Sequence, residues 1–121
     1  MTKIEISRRL ALAIGYTADR VRIREHCFAD GTACKWIEVL NDYSRGDGPM
    51  QYSGWQRLDH TDPAVIWPIA ERFDAFPKHR FNYACEHVGW HCWAMDGGYG
   101  AHINPATASA LAVIAYVEGT K

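Results

Sequence analysis

The chain has 121 residues, 48% apolar and 22% charged, a length and balance that fit one soluble domain with its own core. Folding at this size removes roughly 65% of the unfolded chain's surface, so no staple is required. A net charge of -1 and a pI near 6.6 exclude the excess of Lys and Arg that a binder of phosphate backbone or anionic lipid carries. The N-terminus is polar through Arg9, so no secretory signal is expected. The longest apolar segment, residues 108–117, is shorter than the about 20 residues of a membrane span. A cytosolic setting, with the four cysteines reduced, follows as the expectation.

Residues 4–14 repeat in a helical sense, with Ile6, Leu10 and Ile14 on one face, Ala13 beside them and Arg8 and Arg9 outside. Gly15 is placed to stop that helix. Val21 to Glu25 alternates apolar and charged residues like a half-buried strand. Asp30-Gly31 predicts a two-residue hairpin turn, and 35–40 the return strand. Residues 41–54 are rich in turn formers and predict the longest loop.

Asp62 caps a second helix with Pro63 at its first position. Pro68 either bends this helix or moves its true start, and Pro77 ends it. Val65, Ile69, Ala70 and Phe73 form its expected inner stripe, extended by Phe76. Residues 81–95 predict two strands joined near Val88-Gly89, followed by a turn at Asp96-Gly97-Gly98 and a short strand over 99–103. Asn104 and Pro105 open a third helix that runs toward Gly119 and has hardly any polar face. Such a helix is buried on more than one side, beneath a sheet and another helix or in a homodimer interface.

The predicted fold is α+β: three helices with an antiparallel sheet of four or five strands, in the order α-β-β-α-β-β-(β)-α. The third helix is the most buried element. No linker divides the single domain, residues 1–121.

Cysteines and histidines supply the candidate metal ligands. A two-residue loop at Asp30-Gly31 sets Cys27 opposite Cys34, and a turn at Val88-Gly89 sets Cys85 opposite Cys92. Alternation then gathers Cys85, His87, Trp90 and Cys92 on one face. Three readings follow. Cys27, Cys34, Cys85 and Cys92, with His87, could hold zinc, although both pairs are spaced more widely than zinc knuckles. The same facing admits two disulfides, which a cytosolic setting disfavours. The third reading is free, buried thiols and no cofactor.

No nucleophile, base and orienting group stand at a catalytic spacing. Gly97-Gly98-Tyr99-Gly100 lacks the order of a phosphate cradle and reads as a hairpin. His60, His79 and His102 are the residues around which a small enzyme or nucleotide site would form. The aromatic load is five Trp and six Tyr. Trp67 and Trp93 are expected in the core, and Trp36 and Trp90 over the sheet. Tyr43, Tyr52, Trp55 and Trp90 are the candidate protein-contact residues.

Three stretches together, 9–16, 59–77 and 107–114, resemble the phage ABA-sandwich family of small tailed-bacteriophage proteins. The likeness is closest over Asp62-Pro63-Ala64-Val65-Ile66-Trp67-Pro68-Ile69-Ala70-Glu71-Arg72-Phe73-Asp74 and loose over 20–58 and 78–104. The resemblance implies a sheet flanked by helices, a phage origin and action in the infected bacterium's cytoplasm. It lends no catalytic residue, because the shared positions are helix caps and apolar stripes. The expected function is therefore that of an accessory protein that binds a host or phage protein. A zinc module and a small enzyme or nucleotide binder are the alternatives.

Overall fold

In the computed structural model, the described residues are 1–44, 51–95 and 97–119, with only the backbone of 43, 44 and 51. The elements are α1 (Lys3–Ala13), a 3-10 turn (Ala18–Arg20), β1 (Val21–Cys27), β2 (Ala33–Ser44), β3 (Gln51–Leu58), α2 (Pro63–Phe73), β4 (Lys78–Phe81), β5 (His87–Ala94), β6 (Gly98–His102) and α3 (Pro105–Gly119).

Local chemistry fixes the helix ends. Thr2 caps α1 by accepting the Glu5 N–H at 3.2 Å. At the other end Tyr16 N–H donates to the Ala11 carbonyl and Gly15 N–H to that of Leu12, with Gly15 at φ +118°. This is a Schellman closure that glycine adopts without strain. Asp62 caps α2 through Ala64 N–H at 3.0 Å, with Pro63 in the first turn. Pro68 leaves α2 a single span. The one bond it removes would engage the Ala64 carbonyl, and both residues are exposed, so water can take that carbonyl. Pro77 does not end the helix. Asp74, in the left-handed region at φ 51°, ends it first. The inner stripe turns on Ile66, Ala70 and Phe73, with Val65 and Ile69 half-buried at its flanks.

The strands form two sheets. Each is an antiparallel three-stranded meander, β1-β2-β3 and β4-β5-β6, where one sheet of four or five strands was expected. Residues 41–44 and 51–54, read as loop, pair with one another as the ends of β2 and β3. A strand joint at Val88-Gly89 is absent as well. β4 and β5 are separated by a turn over 82–86, in which Asn82 Oδ1 accepts the N–H groups of Ala84 and Glu86. Of the predicted 96–98 turn, Asp96 lies outside the described residues, and Gly98 opens β6.

The first sheet packs on α1, α1 and α2 pack on α3, and α3 packs on β5 and β6. The layering thus runs sheet, helix, helix, sheet, the reverse of a sheet flanked by helices. α3 is the best-buried helix, with eight buried residues against four in α1 and three in α2. Most of its apolar surface packs within the chain, with Leu111, Tyr116 and Val117 half-buried. Small residues make the contact close. A Cβ on Gly98 would lie 2.2 Å from the Ala112 carbonyl oxygen, and one on Gly100 would lie 2.3 Å from that of Ala108. The Gly98-Tyr99-Gly100 run is therefore a strand whose glycines admit a helix backbone.

Two residues assigned to the core are outside it. Trp93 is 51% exposed and Phe76 49%. Trp93 points away from α3, because Cys92 and Ala94 take the buried face of β5. Phe76 follows the end of α2 and lies off its stripe. Trp67 does pack against the core.

Candidate functional site

The cysteines do not converge. The first hairpin has a three-residue loop, closed by Phe28 N–H on the Thr32 carbonyl at 2.8 Å, with Gly31 at φ +89°. Its register pairs Cys27 with Ala33 and Cys34 with His26. This shift of one residue puts Cys27 and Cys34 on opposite faces. Cys85 sits exposed in the 82–86 turn at φ 60° and does not face Cys92. Cys92 lies buried beneath α3, its thiol donating to the Ala108 carbonyl at 3.6 Å. Burial pushes that thiol's pKa up, and the nearby Ser109 hydroxyl opposes the shift. All four cysteines are free. Among the described residues no three His, Cys, Asp or Glu side chains form a metal-binding group.

A buried polar clasp joins three elements that sequence reasoning left unconnected. His60 is 1% exposed. Its Nδ1 meets Ser7 Oγ of α1 at 2.8 Å, and its Nε2 meets Thr107 Oγ1 of α3 at 3.1 Å. Ser7 Oγ also accepts the His60 backbone N–H at 3.3 Å. Desolvation holds the His60 pKa below its ordinary value, with Asp59 acting in the opposite direction. The neighbouring Asp59 carboxylate is committed elsewhere, to Thr61 at 2.6 Å and to Lys3 at 3.1 Å. Ser7 and His60 resemble a nucleophile and base only in type. Both are buried, and the imidazole's second nitrogen meets a hydroxyl in place of an orienting carboxylate. The arrangement is suited to hold α1, the β3–α2 turn and α3 in register. His60 and His102 line one recess, with Lys3 and Asn104; His79 is elsewhere, on β4.

The outward face of the first sheet is internally satisfied. Glu38 accepts from Arg22 Nε at 2.9 Å and from Trp36 Nε1 at 3.1 Å, with Arg24 at 3.7 Å. Trp36 and the arginines hold its carboxyl below the usual range, against a smaller push from burial. The Arg22 guanidinium lies 3.9 Å from the Trp55 ring and that of Arg57 5.0 Å from Trp36. Both tryptophans are half-buried beneath these cations.

The second sheet is different. α3 covers one face of β5 and β6, and on the other His91, Trp93 and Tyr99 pack on one another. Trp93 and Tyr99 are cross-strand partners with centroids 4.9 Å apart, and Tyr99 is 43% exposed. Phe76, Lys78 and Met95 line a recess beside Trp93.

The candidate contact residues are thus spread over several surfaces. The backbone of Tyr43 pairs with that of Tyr52, but the Tyr43 side chain lies outside the described residues. Tyr52 is exposed, and its spacing from Trp55 puts the two on opposite faces of β3. Trp90 belongs to the second sheet and stacks on His79 with centroids 4.0 Å apart. Sequence reasoning missed Trp93 and Tyr99 as surface residues. Their signal was the odd-numbered alternation of β5, legible only once its register is known. Among the described residues no helix is long and apolar enough to cross a membrane. No protein-family model, curated protein or solved structure matches the chain.

Proposed function

We propose that this chain is a small phage accessory protein that acts by binding a host or phage protein in the cytoplasm of the infected bacterium, through the outward face of its second sheet. The observation that carries the binding reading is the contrast between the two outward faces. Each tryptophan of the first sheet lies under a guanidinium. Among the described residues no guanidinium covers Trp93 or Tyr99, and exposed Phe76 and Met95 line the recess beside Trp93. Large exposed aromatics on a rigid strand supply contact area at little entropic cost, the profile of an interface anchor. The phage setting rests on the resemblance carried by the three helices.

The test is co-purification from bacterial and phage-infected lysates with wild type, the double variant Trp93→Ser/Tyr99→Ser and the control Trp36→Ser. A protein retained by wild type and by the control, but lost with the double variant, is the expected result. Equal retention by all three chains overturns the assignment of this face.

A further inference from the structure

The pair His79 and His87 lies on the opposite side of the second sheet and is not used by the proposal above. β4 sets His79 across from Trp90, and the register then shifts so that Phe81 pairs with His87. Val88 is left without a partner, as in a β-bulge. That extra residue turns His87 onto the face of His79, Phe81 and Trp90, and all four rings touch. His79 Nδ1 stands 2.9 Å from His87 Nε2. The ring centroids are 4.8 Å apart at an interplanar angle of 67°.

We propose that His79 and His87 form a two-imidazole chelate for a divalent transition metal, with copper(II) or nickel(II) as the favoured ion and water in the remaining positions. The nitrogen spacing supports it. The 2.9 Å separation of the two nitrogens is that of a hydrogen bond, and two metal–imidazole bonds of about 2.0–2.1 Å need the nitrogens about 2.9–3.3 Å apart, which small rotations of the two rings supply. Copper(II) binds nitrogen ligands most tightly among the divalent first-row ions and nickel(II) stands close below it, which favours these two at an open two-imidazole site. Both imidazoles are exposed, so an ion reaches them without opening the core. Stacking on Trp90 and edge contact with Phe81 hold the rings before the ion arrives. Lys78 and Arg80, on either side of His79, alternate onto the other face of β4. No third protein ligand joins the pair among the described residues, so the protein supplies two positions only. On binding, the imidazole that donates in this pair takes its other tautomer, its N–H moving to the ring nitrogen that faces away from its partner.

The experiment is calorimetric titration of the tag-free full chain with copper(II) chloride and nickel(II) chloride at neutral pH, with tryptophan fluorescence recorded in parallel. One ion binds per chain, and His79→Ala or His87→Ala lowers the affinity roughly 100-fold, because each removes the intramolecular second ligand. His91→Ala and His102→Ala keep wild-type affinity. Copper(II) quenches fluorescence, and Trp90→Phe removes part of the quench while leaving the calorimetric affinity in place. Melting curves without metal confirm folding, and His79→Gln and His87→Gln replace any alanine variant that melts early. Absence of heat with wild type at millimolar metal overturns the proposal. So does wild-type affinity in the His79 or His87 variants, or an equal loss in His91→Ala.

Discussion

Placing a methyl group on Gly100 tests the close seat of α3. The added Cβ would meet the Ala108 oxygen at 2.3 Å, the Ala112 nitrogen at 2.5 Å and the Leu111 Cβ at 2.9 Å. Ordinary contact needs about 3.4 Å, so α3 must retreat by about 1 Å or β6 must buckle. Two of the three obstacles are backbone, which cannot swing aside like the end of a side chain. Retreat is opposed from behind, because α1 and α2 press on the far side of α3. Overpacking of this kind costs typically 1–3 kcal/mol, and the upper end applies where backbone is the obstacle, giving about 3 kcal/mol. For a chain of this length that lowers Tm by roughly 12 °C, at about 4 °C per kcal/mol. Gly97→Ala is the matched control, since a Cβ there meets nothing within 4 Å, and its expected effect is within about 0.5 kcal/mol. Thermal melts and urea curves followed by circular dichroism give both numbers. A Gly100→Ala protein that melts within about 2 °C of wild type would refute the reasoning, because it would mean the helix and strand are not in backbone contact.

Ser7→Ala strips the His60 ring and backbone N–H of their shared partner, and a destabilisation of about 1–3 kcal/mol in urea unfolding is expected for the groups left unsatisfied. The pH dependence of stability follows from the same histidine. Its folded-state pKa lies below the ordinary value, so its contribution is present above the unfolded-state pKa and is lost as pH falls through the folded one. Wild type should therefore lose more stability than His60→Gln on acidification from neutral pH, and parallel curves would count against it. Thiol accessibility gives a fourth check. Cys27 and Cys85, exposed, should react with a disulfide reagent in the native protein, Cys34 more slowly, and buried Cys92 with its raised pKa only on unfolding. Rapid modification of Cys92 would contradict its place beneath α3.

What the sequence discloses here is local. Asp62 before Pro63, and Gly15 after the α1 stripe, announce helix ends because the capping atoms lie within a few residues of the groups they satisfy. The all-apolar pattern of α3 correctly marks the most buried helix. Strand pairing is a different matter. The Asp30-Gly31 dipeptide signals a hairpin, but the loop has one more residue than predicted, and that slip turns Cys27 and Cys34 apart. The bulge at Val88 has no compositional mark, yet it decides which ring His87 meets. Division into two sheets depends on what α1 and α3 separate, and no window of sequence contains that. The His60 clasp joins positions 7, 60 and 107, a connection that exists only in three dimensions.

The central place of α3 has a consequence for how the protein comes into being. Both α1 and α2, and strands β5 and β6, close against a segment that the ribosome delivers after all of them. Until those residues emerge, α1 and α2 lack their contacts with α3, and the Ser7–His60 pair has no third member. The contacts of α1 and α2 with α3 therefore form only after residues 105–119 have emerged, and such long-range contacts are slow to form.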